Sequence, residues 1–104
     1  MVVSVKKQYL KTKPVCKVTF QIPRQQSNSA QTAQVLGDFN NWSMMAAPMK
    51  RLKSGAFSLT LDLEKGRQYQ FRYFLDGKHW QNEAEADGTA PTPFADSVNS
   101  VVNL

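Results

Sequence analysis

Three stretches of the chain alternate apolar and polar side chains at a period of two, the repeat that turns one face of a β-strand toward a core and the other toward water. Over residues 15–22 the inward set is Cys16, Val18, Phe20 and Ile22, and over 56–63 it is Phe57, Leu59, Leu61 and Leu63. Over 68–75 it is Tyr69, Phe71, Tyr73 and Leu75, which leaves Gln68, Gln70, Arg72 and Phe74 facing outward. Residues 32–36 and 100–104 predict two shorter strands.

Turn-forming residues separate these runs: 25–29, 37–41, Ser54-Gly55, 64–66, Asp76-Gly77 and the proline-containing 87–97. Asp76-Gly77 predicts a hairpin, because both residues tolerate the positive φ that a type I′ turn requires. It ties the strand of Arg72 to the segment bearing Trp80. No segment shows a capped helical stripe, and no internal repeat or low-complexity tract is present. The expected fold is therefore all-β, an immunoglobulin-like antiparallel β-sandwich, though without the Cys, Trp and Cys pattern of antibody domains.

Composition narrows this picture. A chain of 104 residues, 41% hydrophobic and 20% charged, has the size and apolar content of one self-folding domain. Cys16 is the single cysteine, which excludes an internal disulfide, a zinc ribbon or a redox pair and fits a reducing cytoplasm. The opening MVVSVKK has the wrong order of charge and apolar residues for a secretory signal, and no apolar run reaches membrane length. The net charge of +5 is uneven: Lys6, Lys7, Lys11, Lys13, Lys17 and Arg24 all precede Asp38, the first acidic residue. Residues 1–13 thus read as a basic N-terminal arm ahead of a domain over 14–104. The arm lacks interleaved aromatics beyond Tyr9 and shows no nucleic-acid motif, so a solvated arm is favoured over a nucleic-acid partner.

Two tryptophans sit among polar, turn-forming neighbours rather than in alternating strands. Trp42 follows Gly37-Asp38-Phe39-Asn40-Asn41, and Trp80 lies in Lys78-His79-Trp80-Gln81-Asn82. Sugar rings carry C–H groups on their faces, which pack on indole, while their hydroxyls point sideways toward amides and cations. A lone loop tryptophan is as well read as a lid over a core; two of them favour a gripping surface.

Val35 through Trp42, Tyr69 through Gly77, Trp80 and Ser97-Val98-Asn99-Ser100-Val101-Val102 together resemble family 48 carbohydrate-binding modules in order and spacing. That family includes the N-terminal domains of isoamylases and branching enzymes and the glycogen-binding domain of the β subunit of AMP-activated protein kinase. The resemblance implies an early-set immunoglobulin-like sandwich, no cofactor, and an α-1,4-glucan partner. It also implies a glucan-binding face of Trp42, Trp80, Arg72, Asn99 and Ser97. Arg72 stands where the kinase-type modules carry lysine, and its planar fork can donate to two hydroxyls at once. Ala95, preceded by Phe94, replaces a bulky aliphatic of those modules, and Lys78-His79 adds a residue before the second tryptophan.

Other functions fit the sequence less well. Glu83, Glu85 and Asp87 alternate and are expected to share one face of a surface loop, whereas glycoside hydrolysis needs two carboxylates facing each other across a cleft. His79 is the only histidine, and with no nucleophile or second ligand implied it reads as an exposed polar side chain. Asp38 and Asp76 read as turn residues. The main rival to sugar binding is a scaffold role, in which the same face or the basic arm docks to a glycogen-metabolising enzyme.

Overall fold

A computed structural model describes residues 5–27, 29–92 and 97–104. In chain order the strands are β1 (Val5–Tyr9), β2 (Val15–Ile22), β3 (Ala33–Gly37), β4 (Lys50–Arg51), β5 (Phe57–Glu64), β6 (Gln68–Leu75), β7 (His79–Gln81), β8 (Gly88–Pro91) and β9 (Val98–Asn103). Single 3₁₀ turns at Arg24–Gln26 and Asp38–Asn40 are the only helical segments among the described residues. One sheet has the order β1-β2-β5-β4 and the other β3-β6-β9-β8, with every pairing antiparallel.

The inward faces of the two sheets meet in one core. Cys16, Val18, Phe20, Ile22 and Phe57 come from the first sheet, and Val35, Tyr69, Phe71, Tyr73, Leu75 and Val102 from the second. Phe20 packs edge-on to Phe71 with centroids 5.0 Å apart and also meets Phe39, so aromatic contacts cross between the layers. Burying each such side chain stabilises the fold by roughly 1.5–3 kcal/mol before entropy is counted. The architecture is the expected all-β, immunoglobulin-like sandwich of two antiparallel sheets.

Part of the expected basic arm belongs to the sheet. Val5–Tyr9 pairs with β2 from Val5↔Phe20 to Tyr9↔Cys16. Its side chains from Lys6 onward are exposed, as those of an edge strand with only one neighbour can be.

The second sheet has a split edge. β6 pairs with β3 on one side; on the other, Gln68–Phe71 pair with β9 while Tyr73–Leu75 pair with β7. Arg72 lies at the division. Its Nε and Nη2 both donate to the carbonyl of Val98, at 3.0 and 2.6 Å, and Asn82 Nδ2 donates to the same oxygen at 3.0 Å. Side chains therefore close a gap that the backbone ladder leaves open.

Candidate functional site

The segment from Gly37 to Trp42 is shaped by its own side chains. β3 ends at Gly37, where a Cβ would lie 2.5 Å from the Gln70 carbonyl, so only glycine allows β3 and β6 to approach this closely. Asn40 holds the loop on both sides: its Oδ1 accepts from Gly37 N–H at 3.0 Å, and its Nδ2 donates to Val35 C=O at 2.9 Å. Phe39 turns inward against Phe20 and Tyr69. Asn41 and Trp42 both have φ of 56°, and Trp42 N–H returns to Gly37 C=O at 3.0 Å. Positive φ is costly for a residue as bulky as tryptophan, so the loop contacts must hold it.

Asp38 joins this loop to the sheet. One carboxylate oxygen accepts from the indole N–H of Trp42 at 3.1 Å, and the other from the backbone N–H of Gln70 at 2.8 Å. The charged acceptor thus fixes the indole edge relative to β6.

The hairpin predicted at Asp76-Gly77 delivers the second tryptophan. Both residues have positive φ, and Lys78 N–H donates to Leu75 C=O at 2.9 Å. Lys78 is the extra residue of the turn, and beyond it His79 pairs with Leu75 and Trp80 with Phe74. The Asp76 carboxylate accepts from the N–H groups of Gln31 and Thr32, which anchors the turn to the start of β3. Those two donors hold the Asp76 carboxyl below its ordinary range, with Lys78 and His79 adding to the effect.

The two indoles meet on the outward face of β6. Trp42 is half-buried and Trp80 is 43% exposed; their ring centroids lie 6.4 Å apart with planes inclined at 56°. Trp80 rests on Phe74, 4.4 Å away at 35°. One face of Trp80 is thereby backed by an aromatic ring, and Trp42 stands beside it as the other wall of a corner. Register puts Leu36 and Val101 on this same outward face, opposite Arg72 and Gln70. Both are buried yet lie outside the main core cluster, so the face has an apolar floor.

Arg72 and Asn99 lie along this face, and both they and Ser97 are engaged by the protein. Arg72 spends two of its five N–H groups on Val98 C=O. Asn99 donates its amide to Gln70 Oε1 at 3.0 Å. Ser97 shares a hydroxyl hydrogen bond with Thr92. Phe94 and Ala95 lie outside the described residues. Sequence reasoning missed Phe74, Asp38 and Gln70, although the outward Phe74 within an otherwise polar row was a visible signal.

The carboxylate row departs from its expected surface placement. Glu83 is only 7% exposed, and its carboxylate accepts from the Tyr73 hydroxyl and from Glu85 N–H, both at 2.7 Å. Its own N–H donates to Ser100 Oγ, which in turn donates to Asn82 Oδ1. Burial, and then the neighbouring charge of Glu83, push the Tyr73 hydroxyl well above its ordinary pKa. Burial acts to raise the Asp87 carboxyl, but the ammonium of Lys7 at 2.6 Å and the N–H of Asn103 outweigh it and leave it below its usual range. Each acid is thus committed to a structural partner or, like Glu85, exposed. His79 is exposed, as expected. No helix among the described residues is long and apolar enough to cross a membrane.

The outward face of this two-sheet sandwich thus gathers tilted aromatic rings beside polar amides and a guanidinium. The sequence profile of Carbohydrate-binding module 48 (Isoamylase N-terminal domain) matches residues 23–90. The chain belongs to that family, a family of carbohydrate-binding modules. The comparison with curated proteins returned no match.

Proposed function

We propose that the chain is a non-catalytic module that holds α-glucan chains, whether glycogen, starch or a maltooligosaccharide, in the corner made by Trp42 and Trp80. The observation that carries this reading is the indole pair, 6.4 Å apart and inclined at 56°, with Phe74 supporting Trp80 from behind. Platforms inclined to one another suit a chain whose successive rings turn, as α-1,4 linkage makes them do. A flat ribbon of sugar rings would lie along one wall and miss the other.

Around the stacking pair, Arg72 keeps three N–H groups beyond those given to Val98, and Asn99 keeps its amide oxygen and a second N–H. These donors and acceptors take ring hydroxyls. Ser97 extends the same polar rim. In this reading the module does no chemistry, since Glu83 already serves Tyr73, and it works in the cytoplasm, alone or beside a glycogen-metabolising enzyme.

A shallow face encloses less of its ligand than a pocket does, so dissociation constants fall roughly between micromolar and millimolar, with longer chains favoured by multivalency. The test is a titration with maltoheptaose or β-cyclodextrin followed by tryptophan fluorescence. Trp42→Ala and Trp80→Ala are each expected to weaken binding by roughly 2 kcal/mol. Unchanged fluorescence, together with wild-type protein that passes unretained through immobilised amylose, would refute the reading.

A further inference from the structure

The ladder between β6 and β9 stops one step short of the Val98 carbonyl. These strands pair from Gln68↔Asn103 to Phe71↔Ser100, and the same register carried on would set Val98 opposite Tyr73. Tyr73 pairs with Gln81 of β7 instead. On the β8 side Thr92 N–H donates to Ser97 C=O, so by alternation Val98 and Ser100 turn their backbone groups toward β6. The Val98 carbonyl thus points into the break. Three side-chain N–H groups reach it there, two from Arg72 at 3.0 and 2.6 Å and one from Asn82 at 3.0 Å.

Asn82 is oriented from beneath. Ser100, only 1% exposed, accepts the backbone N–H of Glu83 and donates its own proton to Asn82 Oδ1, both at 2.8 Å. With Oδ1 held as the acceptor, the planar amide must turn Nδ2 the other way, toward Val98. Glu83 is fixed in its turn, by the Tyr73 hydroxyl on one carboxylate oxygen and Glu85 N–H on the other. Tyr73 is buried in the core against Phe71. A relay of directed hydrogen bonds therefore runs from the core, through Glu83, Ser100 and Asn82, to a carbonyl on the aromatic side of the sheet.

That carbonyl decides how the guanidinium lies. Nε and Nη2 border one edge of the planar group, and both aim at the same oxygen. The next edge, with one N–H from Nη2 and one from Nη1 side by side, is left as a parallel fork. Its direction follows the position of the Val98 oxygen. A carbonyl past the end of a ladder can tilt, and Asn82 ties it to the segment after β7. The same peptide plane carries the N–H of Asn99, so a tilt there also turns the next residue of the face.

We propose that Asn82 is the positioning residue of this face: through the Val98 carbonyl it sets the angle at which Arg72 meets two neighbouring hydroxyls of a glucose ring. What the fork meets rests on the glucan reading above; the relay that aims it does not. The effect of Asn82 on affinity passes through Arg72, so the two act as a unit and the losses on removing them do not add.

The experiment is a double-mutant cycle on the full chain, with affinities from calorimetric titration with maltoheptaose and with NMR of the Arg72 Nε–H group in the absence of sugar. Arg72→Ala is expected to raise the dissociation constant roughly tenfold, and Asn82→Ala roughly fivefold. With Arg72 already alanine, Asn82→Ala is expected to change it by less than about twofold. Ser100→Ala lies below the surface and is expected to weaken binding roughly threefold by freeing the Asn82 amide. The wild-type Nε–H is expected to give a distinct, slowly exchanging signal, which Asn82→Ala and Ser100→Ala shift and broaden. Circular dichroism confirms that each variant is folded. Additive losses overturn the proposal, because Asn82 then touches sugar directly or supports the fold in general. Wild-type affinity in Asn82→Ala or in Arg72→Ala overturns it as well. A wild-type chain that binds no maltoheptaose defeats the glucan reading instead, and the Arg72 signal still decides the relay: a signal that neither substitution moves overturns it.

Discussion

If the aromatic corner holds glucan as proposed, removing the Asp38 carboxylate is expected to weaken that binding without altering either indole face. Asp38 is the only group seen to hold the indole edge of Trp42 among the described residues, at 3.1 Å, while its other oxygen takes the Gln70 N–H at 2.8 Å. Trp42 sits at a φ of 56°, a conformation that costs on the order of 1–3 kcal/mol for a non-glycine residue. A hydrogen bond to a charged acceptor returns about 1.5–3 kcal/mol net, toward the lower end when exposed, so its loss frees the ring to leave the corner for a fraction of the time. Asp38→Ala is therefore expected to raise the maltoheptaose dissociation constant roughly tenfold, about 1.4 kcal/mol. Asp38→Asn keeps one acceptor oxygen for two donors and should fall between. Calorimetric titration measures the affinities, with Trp42→Ala as the outer limit. Circular dichroism of the coupled indoles reports their geometry without sugar. Wild-type affinity in Asp38→Ala, with an unchanged indole signal, would show that the loop holds Trp42 by other means.

Two further outcomes concern the fold that supports the site. Gly37→Ala forces a Cβ to within 2.5 Å of the Gln70 carbonyl and 2.8 Å of Phe71 Cβ, and is expected to cost roughly 1–3 kcal/mol in urea unfolding. Acid should destabilise the chain in a defined window. The Asp76 and Asp87 carboxyls are both held below their ordinary value of 3.8, so their contribution is complete above that pH and is lost as pH falls through the lower folded values. The urea midpoint is expected to drop below about pH 4, and Asp76→Asn or Asp87→Asn should flatten part of that drop.

The long strands were legible because both their faces obey one rule. β2 and β6 run over the predicted residues, and β5 is displaced by a single position, since alternation there reports a buried face and a wet one. The short strands β4, β7 and β8 left no such trace. Two to four residues carry too little period, and β1 hides its pairing behind lysines that an edge strand tolerates. At the site, a face shared by Trp42 and Trp80 was implied by the family resemblance, and the hairpin at Asp76-Gly77 and the turn after β3 are what bring the rings together. What escaped was partnership across distant segments: Arg72 with Val98, Asp38 with Gln70, and Glu83 with Tyr73. A polar residue looks the same in sequence whether it faces water or satisfies a buried neighbour.

The divided edge of β6 bears on how such a module can diversify. The path from β7 through β8 leaves β6 and rejoins it on the same side, and the break is spanned by side chains meeting at a single carbonyl. Insertions or deletions in that excursion need not shift the register of either half, so the segment bordering the aromatic corner can change length while the sandwich beneath stays intact.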